Sequence, residues 1–318
     1  MKKWLKILLP CILAGLFCFP NCLAEQKTPL RIVCTTFPQY DWTRQVLGEN
    51  AEAAELTLLL DNGVDLHNYQ PTAADIAQIS ACDLFVFVGG TSDIWVTDVL
   101  AAANNPDLHA ISMMECVEIK EEETVEGMQP EESEEESSEL EYDEHVWLSL
   151  RNAQRITQAI ADALCAQDPE NAEAYQANVR AYIAKLAALD AQYQTMVDNA
   201  QRKTLLFADR FPFRYLADDY GLRYFAAFAG CSAETEASFQ TIAFLAGKVD
   251  EMELPAVIVI EGANHSLAET VISCTQSQNQ EILAVNSIQS VTAKDVANGF
   301  TYLDAMEKNL VIFERALN

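Results

Sequence analysis

Apolar positions along the chain fall into two patterns, short continuous runs and longer stretches with a helical period. The continuous runs include 84–88 (LFVFV) and 256–260 (AVIVI), and such runs are typical of parallel strands buried on both faces of a sheet. Between them, apolar residues recur roughly every three or four positions, as on a helix with one buried face. This alternation of strands and helices predicts an α/β protein with mainly parallel sheets.

The predicted strands form two groups, separated by a long helix. Residues 172–200 contain no glycine or proline and keep apolar side chains at helical spacing, which predicts a helix about 45 Å long. We therefore expect two (β/α) lobes, each a mainly parallel sheet with flanking helices, joined by this spine helix. The N-terminal lobe, helical linker and C-terminal lobe are predicted to cover residues 28–150, 151–200 and 203–318. The predicted strands cover residues 31–36, 56–60, 83–88, 109–113, 204–208, 223–228, 256–260 and 281–285.

The first residues have the composition of an export signal. A lysine-rich start precedes the apolar segment 7–19, which predicts a signal peptide over residues 1–24 that is removed after Ala24. A lipid anchor at Cys22 is the alternative, although Asn21 stands where a lipobox has Gly, Ala or Ser. Both routes predict a protein that works outside the cytoplasm, either secreted, periplasmic or at the cell surface.

The charge balance is strongly acidic, with 48 acidic and 20 basic residues and a net charge of −28. Such a charge opposes binding to nucleic acids and to anionic lipids, and it is compatible with cationic partners. Many of the acids lie in a loop predicted over residues 120–144, directly before His145. A flexible acidic loop attracts cations, so we interpret it as a low-affinity collector. A surface linker is the alternative interpretation.

The six cysteines beyond the signal are dispersed and form no CxxC motif. This spacing does not predict a zinc cluster, and most of these cysteines lie in apolar runs as small core residues do. Cys231 and Cys274 lie near the ends of predicted elements and are the candidate pair for a disulfide.

Catalytic motifs are absent from the sequence, which has no G-x-S-x-G, HExxH, P-loop or GxGxxG pattern. We therefore expect a protein that is not an enzyme and has no catalytic residues. An extracytoplasmic metallohydrolase is an alternative, because a metal with three protein ligands keeps a position for water. A surface adhesin or interaction module that uses the acidic loop is a second alternative.

Several polar side chains lie where a ligand site is expected, beyond the carboxyl ends of strands or after the acidic loop. The candidates are His67, His145, Asp209 and Glu261. Two imidazoles together with carboxylate oxygens suit a divalent ion such as zinc or manganese. For the other two histidines, His109 and His265, the local context favours a structural or surface role.

Two motifs resemble those of the zinc- and manganese-binding proteins that serve metal ABC importers. Residues 63–72 (GVDLHNYQPT) contain His67 in the setting of that family's first metal-binding histidine. Residues 143–148 (DEHVWL) contain His145 in the setting of the second, where the family has Asp-Pro-His before the Trp. The family's His-rich or acidic loop also lies directly before the second motif. The resemblance covers nearly all of the mature chain.

The resemblance implies a function as well as a fold. It implies that the protein captures a divalent transition metal outside the cytoplasm and delivers it to the membrane permease of an ABC importer. His67 and His145 would be metal ligands from the first lobe, and the transported ion would be Zn²⁺ or, as the alternative, Mn²⁺. We expect a monomer that does not bind nucleic acid.

The second lobe departs from the family pattern at both ligand positions. The aromatic residues of DRFPFRY align the family's His or Glu ligand with Arg210, which is a permanent cation and cannot bind a metal. The family's late Asp, found in manganese-type members, aligns with Asn286, which favours zinc. We expect Asp209 or Glu261 to supply the oxygen ligand instead. Alternatively, Asp209 and Arg210 form an ion pair and the first lobe alone holds the metal.

Overall fold

The structure is a computed structural model that describes residues 28–128, 141–232, 236–262 and 264–318. The predicted signal peptide, with Cys22, and the central part of the acidic loop lie outside the described residues. Within the described part of the chain, no helix has both the length and the apolar composition that crossing a membrane requires.

The first lobe contains a parallel four-stranded sheet with strand order β2-β1-β3-β4. Its strands are β1 (Arg31–Cys34), β2 (Glu55–Leu58), β3 (Leu84–Phe87) and β4 (His109–Ser112). Its helices are α1 (Phe37–Leu47), α2 (Ala73–Ala81) and α3 (Val96–Ala101). Val33 in the central strand pairs with both Thr57 and Phe85. The chain leaves β1 towards one edge and β3 towards the other, which opens a crevice beyond their carboxyl ends.

Two helices link the lobes, α4 (Leu150–Gln167) and α5 (Ala172–Asn199). Ser149 caps α4 by accepting a hydrogen bond from the Asn152 N–H at 3.0 Å. The 28 residues of α5 correspond to a length of about 42 Å. Near its start, the Asn178 amide donates to the Val46 carbonyl in α1 at 2.9 Å. The predicted spine helix is confirmed.

The second lobe repeats the plan of the first, with strand order β6-β5-β7-β8. Its strands are β5 (Thr204–Arg210), β6 (Arg223–Phe228), β7 (Ala256–Ile260) and β8 (Glu281–Val285). Its helices are α6 (Arg214–Tyr220), α7 (Phe239–Glu251), α8 (Ser266–Ser273), α9 (Ala293–Ala297) and α10 (Tyr302–Leu317). The spine reaches this lobe through Tyr193, whose hydroxyl donates to the Met306 carbonyl at 2.7 Å.

The structure confirms the α/β fold class and the predicted strands, with local differences. Strand β5 continues past the predicted end at residue 208, because Arg210 pairs with Phe228 after a register shift. This extension places Arg210 at the carboxyl edge of the second sheet. The short helix α9 was not predicted. The predicted disulfide is wrong, because Cys231 and Cys274 are both free thiols; one follows β6 and the other lies exposed after α8.

The described ends of the acidic loop are packed, whereas the sequence predicted a flexible and solvated segment. Its two ends pair through an antiparallel bridge between Glu121 and Tyr142. On the second lobe, the Tyr224 hydroxyl donates to the Glu123 carboxylate at 2.8 Å, and Met128 is buried. Two apolar residues within the acidic sequence explain this packing. Met128 belongs to the hydrophobic core and Val125 packs against it, which removes apolar surface of both side chains from water.

Candidate metal centre

His67 lies in a single 3-10 turn after β2, at the carboxyl edge of the first sheet. The Asp65 carboxylate caps this turn by accepting the His67 backbone N–H at 3.1 Å. The His67 Nδ1 atom lies 2.9 Å from Ser92 Oγ and 3.5 Å from Glu144 Oε2. A proton on Nδ1 is therefore held by neighbouring oxygens, and Nε2 keeps the lone pair that a metal ligand needs.

His145 is fully buried and is fixed by residues from both lobes. Its backbone N–H and its Nδ1 atom lie 2.7 and 3.1 Å from Asp143 Oδ1. The backbone carbonyl of Asp143 accepts a hydrogen bond from the Tyr215 hydroxyl at 2.8 Å. The neighbouring Trp147 donates to the Ser287 carbonyl at 2.9 Å. As at His67, the contacts occupy Nδ1 and leave Nε2 as the ligand atom.

The two Nε2 atoms face each other at a distance of 3.2 Å. A zinc ion at a bond length of about 2.0–2.1 Å from each nitrogen would make an N–Zn–N angle of roughly 100°, which is close to tetrahedral. Burial and the neighbouring charge of His145 lower the pKa of His67 to about 4. Burial alone would lower the pKa of His145, but the adjacent Asp143 carboxylate outweighs it and raises that pKa. His67 is thus held in the neutral form that binds metal.

Cys231 is the third potential ligand at this point. Among the described residues, one ligand atom each from Cys231, His67 and His145 lie within 4.8 Å of one another. Cys231 follows β6, so it comes from the second lobe. The preceding Gly230 allows the approach, because a Cβ there would lie 2.8 Å from the Phe211 carbonyl oxygen. Cys231 was not among the candidates predicted from the sequence, although its position directly after a predicted strand was the available signal.

Arg210 cannot bind a metal, and its side chain contacts residues on both sides of this cluster. Its Nη2 atom lies 2.8 Å from Asp65 Oδ2, beside the turn of His67. Its Nη1 atom lies 3.5 Å from the Ser232 carbonyl oxygen, next to Cys231. Arg210 therefore connects the first-lobe and second-lobe parts of the site.

The structure does not bring Asp209 and Glu261 into this cluster. The Asp209 carboxylate accepts backbone N–H groups of Arg210 and Ile260 at 2.8 and 2.9 Å. The Glu261 carboxylate accepts the Ser287 N–H and hydroxyl at 2.7 and 3.0 Å. The side chain of Arg210 pairs with Asp65, so the alternative of an Asp209–Arg210 side-chain ion pair does not describe this arrangement.

Three further residues considered from the sequence also lie outside the cluster: Asn286, His109 and His265. Asn286 accepts the N–H of Ile288 through its side-chain oxygen at 2.8 Å. His109 and His265 are exposed, in agreement with the surface role expected for them. Among the four histidines, the pair that the sequence motifs singled out is therefore the pair whose ligand nitrogens meet.

Glu144 supports the site and occupies the position where the metal-importer family has proline. Its Oε1 atom accepts the Thr91 hydroxyl at 3.0 Å and the Ser92 N–H at 2.9 Å. Gly90 makes room for it, since a Cβ there would overlap the Glu144 carboxylate. Asp93 lies behind this turn, and burial raises its pKa to about 6. Glu144 was not predicted as a site residue, although a carboxylate directly beside the predicted ligand His145 was the available signal.

Two parallel α/β lobes on a helical spine, with facing imidazoles where the lobes meet, have the features of a two-lobed metal-binding protein. The chain belongs to the family described as zinc-uptake complex component A, periplasmic, whose profile matches residues 32–316. This assignment confirms the resemblance to solute-binding proteins of metal importers that the two histidine motifs predicted.

Named relatives and a solved structure support the assignment. The chain is 32% identical over 304 residues to the zinc-binding lipoprotein AdcA of Streptococcus pneumoniae. This match covers 94% of the chain and 58% of that protein. It is 30% identical over 324 residues to the high-affinity zinc uptake system protein ZnuA of Bacillus subtilis, covering 97% and 96%. The Zn(II)-bound ZnuA-like domain of the pneumococcal AdcA matches with a TM-score of 0.73 and 29% identity, over 91% of this chain and 99% of that domain.

Proposed function

We propose that the protein captures zinc outside the cytoplasm and delivers it to the membrane permease of an ABC importer. The observation that carries the proposal is the 3.2 Å distance between the Nε2 atoms of His67 and His145, which suits two ligands of one zinc ion. The family name and the names of the relatives refer to zinc uptake and zinc binding. Manganese, the other ion that the motifs allowed, has no such support.

His67 and His145 are the proposed zinc ligands of the first lobe. Both rings have Nδ1 hydrogen-bonded to oxygen atoms, an arrangement that fixes the tautomer and the direction of the metal-binding nitrogen. Asp209 and Glu261 stay predictions as ligands. Each would have to give up two hydrogen bonds in order to bind the metal.

The cellular setting follows from the family and from the N-terminal sequence. Relatives are described as periplasmic or as a lipoprotein, which supports an extracytoplasmic location for this chain. We propose cleavage after Ala24, with a lipid anchor at Cys22 as the alternative. The proposed partners are the importer permease and the zinc ion. We further propose that the protein acts as a monomer without nucleic acid.

Delivery requires a metal site that opens without unfolding the protein. The lobes are joined by the spine helix and by the Arg210–Asp65 ion pair across the site. These contacts support a small movement of loops around the metal in preference to a wide hinge opening. The acidic loop, whose centre lies outside the described residues, remains the predicted collector of cations.

The alternatives of a metallohydrolase and of an adhesin gain no support. The family is one of zinc-transport components and not of enzymes. A contact function for the acidic loop has no observation in its favour among the described residues.

Metal titration tests the proposed function directly. The wild type should bind one zinc ion per chain, and the H67A/H145A double variant should lose tight binding. The matched control is H109A, which removes an exposed histidine of the same lobe and should bind zinc like the wild type. Wild-type affinity in the double variant would refute the proposed site.

A further inference from the structure

We infer that the Cys231 thiolate is the second-lobe zinc ligand, so that the site is built from two imidazoles and one sulfur. The inference rests on the proposed zinc capture and specifies its coordination. Ligand atoms of Cys231, His67 and His145 all lie within 4.8 Å of one another. A tetrahedral zinc with Zn–N bonds of about 2.05 Å and a Zn–S bond of about 2.3 Å separates nitrogen and sulfur by about 3.5 Å. The limit of 4.8 Å exceeds this spacing by little more than about 1 Å, so only a small movement is needed to complete the coordination.

Cys231 is held at the lobe boundary by first-lobe groups on both sides. The Gly230 N–H donates to Glu122 Oε1 at 2.7 Å, and the thiol is in hydrogen-bond contact with the same carboxylate. On the other side, the backbone N–H of Glu144 donates to the sulfur. Hydrogen bonds to a ligand sulfur are the supporting contacts that metal-bound thiolates use. Glu122 is accordingly a positioning residue for Cys231.

The surroundings distinguish Cys231 from a structural cysteine. Cys34 and Cys82 are buried within the apolar core of the first lobe, where a thiol acts as a small hydrophobic group. Cys231 instead lies among carboxylates and imidazoles, and burial together with the charges of Asp143 and Glu122 raises the pKa of its thiol. A polar, acidic environment of this kind suits a group that binds a cation.

Cys231 also accounts for the substitution at Arg210. Arg210 occupies the position that aligns with the family's second-lobe ligand, and its guanidinium pairs with Asp65. The other second-lobe candidates, Asp209 and Glu261, accept hydrogen bonds elsewhere. Cys231 restores a contribution from that lobe, and it does so with a softer atom than nitrogen or oxygen. Thiolate ligands favour zinc over manganese, so this ligand set selects zinc.

The binding step balances without a redox partner. As zinc arrives, the S–H bond of Cys231 breaks, a Zn–S bond forms, and the thiol proton is released to solvent. Both rings keep the proton on Nδ1 and bind through Nε2, and the proton that lies between the two Nε2 atoms in the metal-free protein is also released to solvent. The three ligands leave one zinc position open, which water fills in a tetrahedral site.

Cobalt substitution tests the inference, because a thiolate bound to Co(II) gives a sulfur-to-metal charge-transfer band in the near ultraviolet. The wild-type protein titrated with Co(II) should show this band, and C231S should lose it. C231S should also lose more than about 10-fold in zinc affinity. A loss of about 10-fold is the smallest expected when a residue that only supports a ligand is replaced. The matched control is C274S, which removes the exposed free thiol of the same lobe and should behave like the wild type.

A second measurement needs no variant and covers the case in which C231S fails to fold. Zinc should protect Cys231 of the wild-type protein from alkylation by iodoacetamide, as mapped by mass spectrometry, and magnesium should not. A wild-type Co(II) complex without the band, or alkylation that zinc does not slow, would overturn the ligand role of Cys231. If H67A/H145A still abolished binding in that case, the proposed zinc capture would stand. A wild type that binds no zinc would refute the proposed function itself.

Discussion

Arg210 Nη2 lies 2.8 Å from Asp65 Oδ2, and this ion pair joins the end of β5 in the second lobe to the turn that carries His67 in the first. Burial alone would raise the pKa of Asp65, but the charge of Arg210 outweighs it and lowers that pKa. Asp65 in turn accepts the backbone N–H of His67. Arg210, which cannot bind a metal, therefore fixes the direction of His67, a proposed ligand.

Replacement of Arg210 should weaken zinc binding without abolishing it. In R210Q, Asp65 loses its charged partner and the His67 turn loses its support from the second lobe. We expect zinc affinity to fall by about 10-fold, as for other residues that orient a ligand. We also expect a loss of about 1–3 kcal/mol in the free energy of unfolding, the cost of leaving a largely buried polar group unpaired. Competition with a chelating dye and denaturant unfolding measure the two effects.

R210K separates charge from geometry in the same experiment. Lysine keeps the positive charge but cannot reach Asp65 and the Ser232 carbonyl with the fixed fork of a guanidinium. It should therefore fall between the wild type and R210Q. Zinc affinity in R210Q equal to that of the wild type would show that the ion pair does not orient His67.

Asp143 should be needed for the affinity of the site because it holds the His145 ring through Nδ1 at 3.1 Å. In D143N the amide can present its NH₂ group to the ring, which allows the wrong tautomer. Zinc affinity should fall by about 10- to 100-fold. The control is D98N, an exposed aspartate of α3, which should bind zinc normally. A D143N protein with wild-type affinity would contradict the assigned tautomer.

Gly90 should be required for a steric reason as well as a conformational one. Its φ is +81°, and a Cβ would overlap the Glu144 carboxylate. Gly299 has a similar φ of +84° with open space around it. G299A should therefore lose only the about 1–2 kcal/mol of left-handed backbone strain and bind zinc normally. G90A should lose more stability, and its zinc affinity should fall because Glu144 supports His67. Equal losses in thermal unfolding and equal zinc affinities in both variants would reject the steric role.

The fold was predictable to a greater extent than the site. The runs LFVFV and AVIVI become the buried strands β3 and β7 because continuous apolar sequence determines burial on both faces of a parallel sheet. His67 and His145 were predicted because their motifs are local. The contact of Arg210 with Asp65 joins residues 145 positions apart. No periodicity encodes such a contact, and the same holds for the approach of Cys231 to the two histidines.

Glu261 should make the stability of the metal-free protein depend on pH. Burial raises its pKa to about 7 from the ordinary 4.5, so between these values the folded state binds more protons than the unfolded state. Stability should therefore fall as pH rises from about 4.5 to 7, by up to about 3 kcal/mol from this group. In E261Q the side chain cannot ionise, and this contribution disappears.

The comparison that isolates Glu261 is the difference in unfolding free energy between E261Q and the wild type, measured in a chelator at several pH values. The difference should move in favour of E261Q as pH rises from about 4.5 to 7 and should become constant at higher pH, where the wild-type carboxylate is ionised in both states. E269Q, an exposed glutamate of α8, serves as the control and should show no comparable trend. A difference that stays constant over this pH range would mean that Ser287 and the surrounding backbone stabilise the Glu261 carboxylate enough to offset its burial.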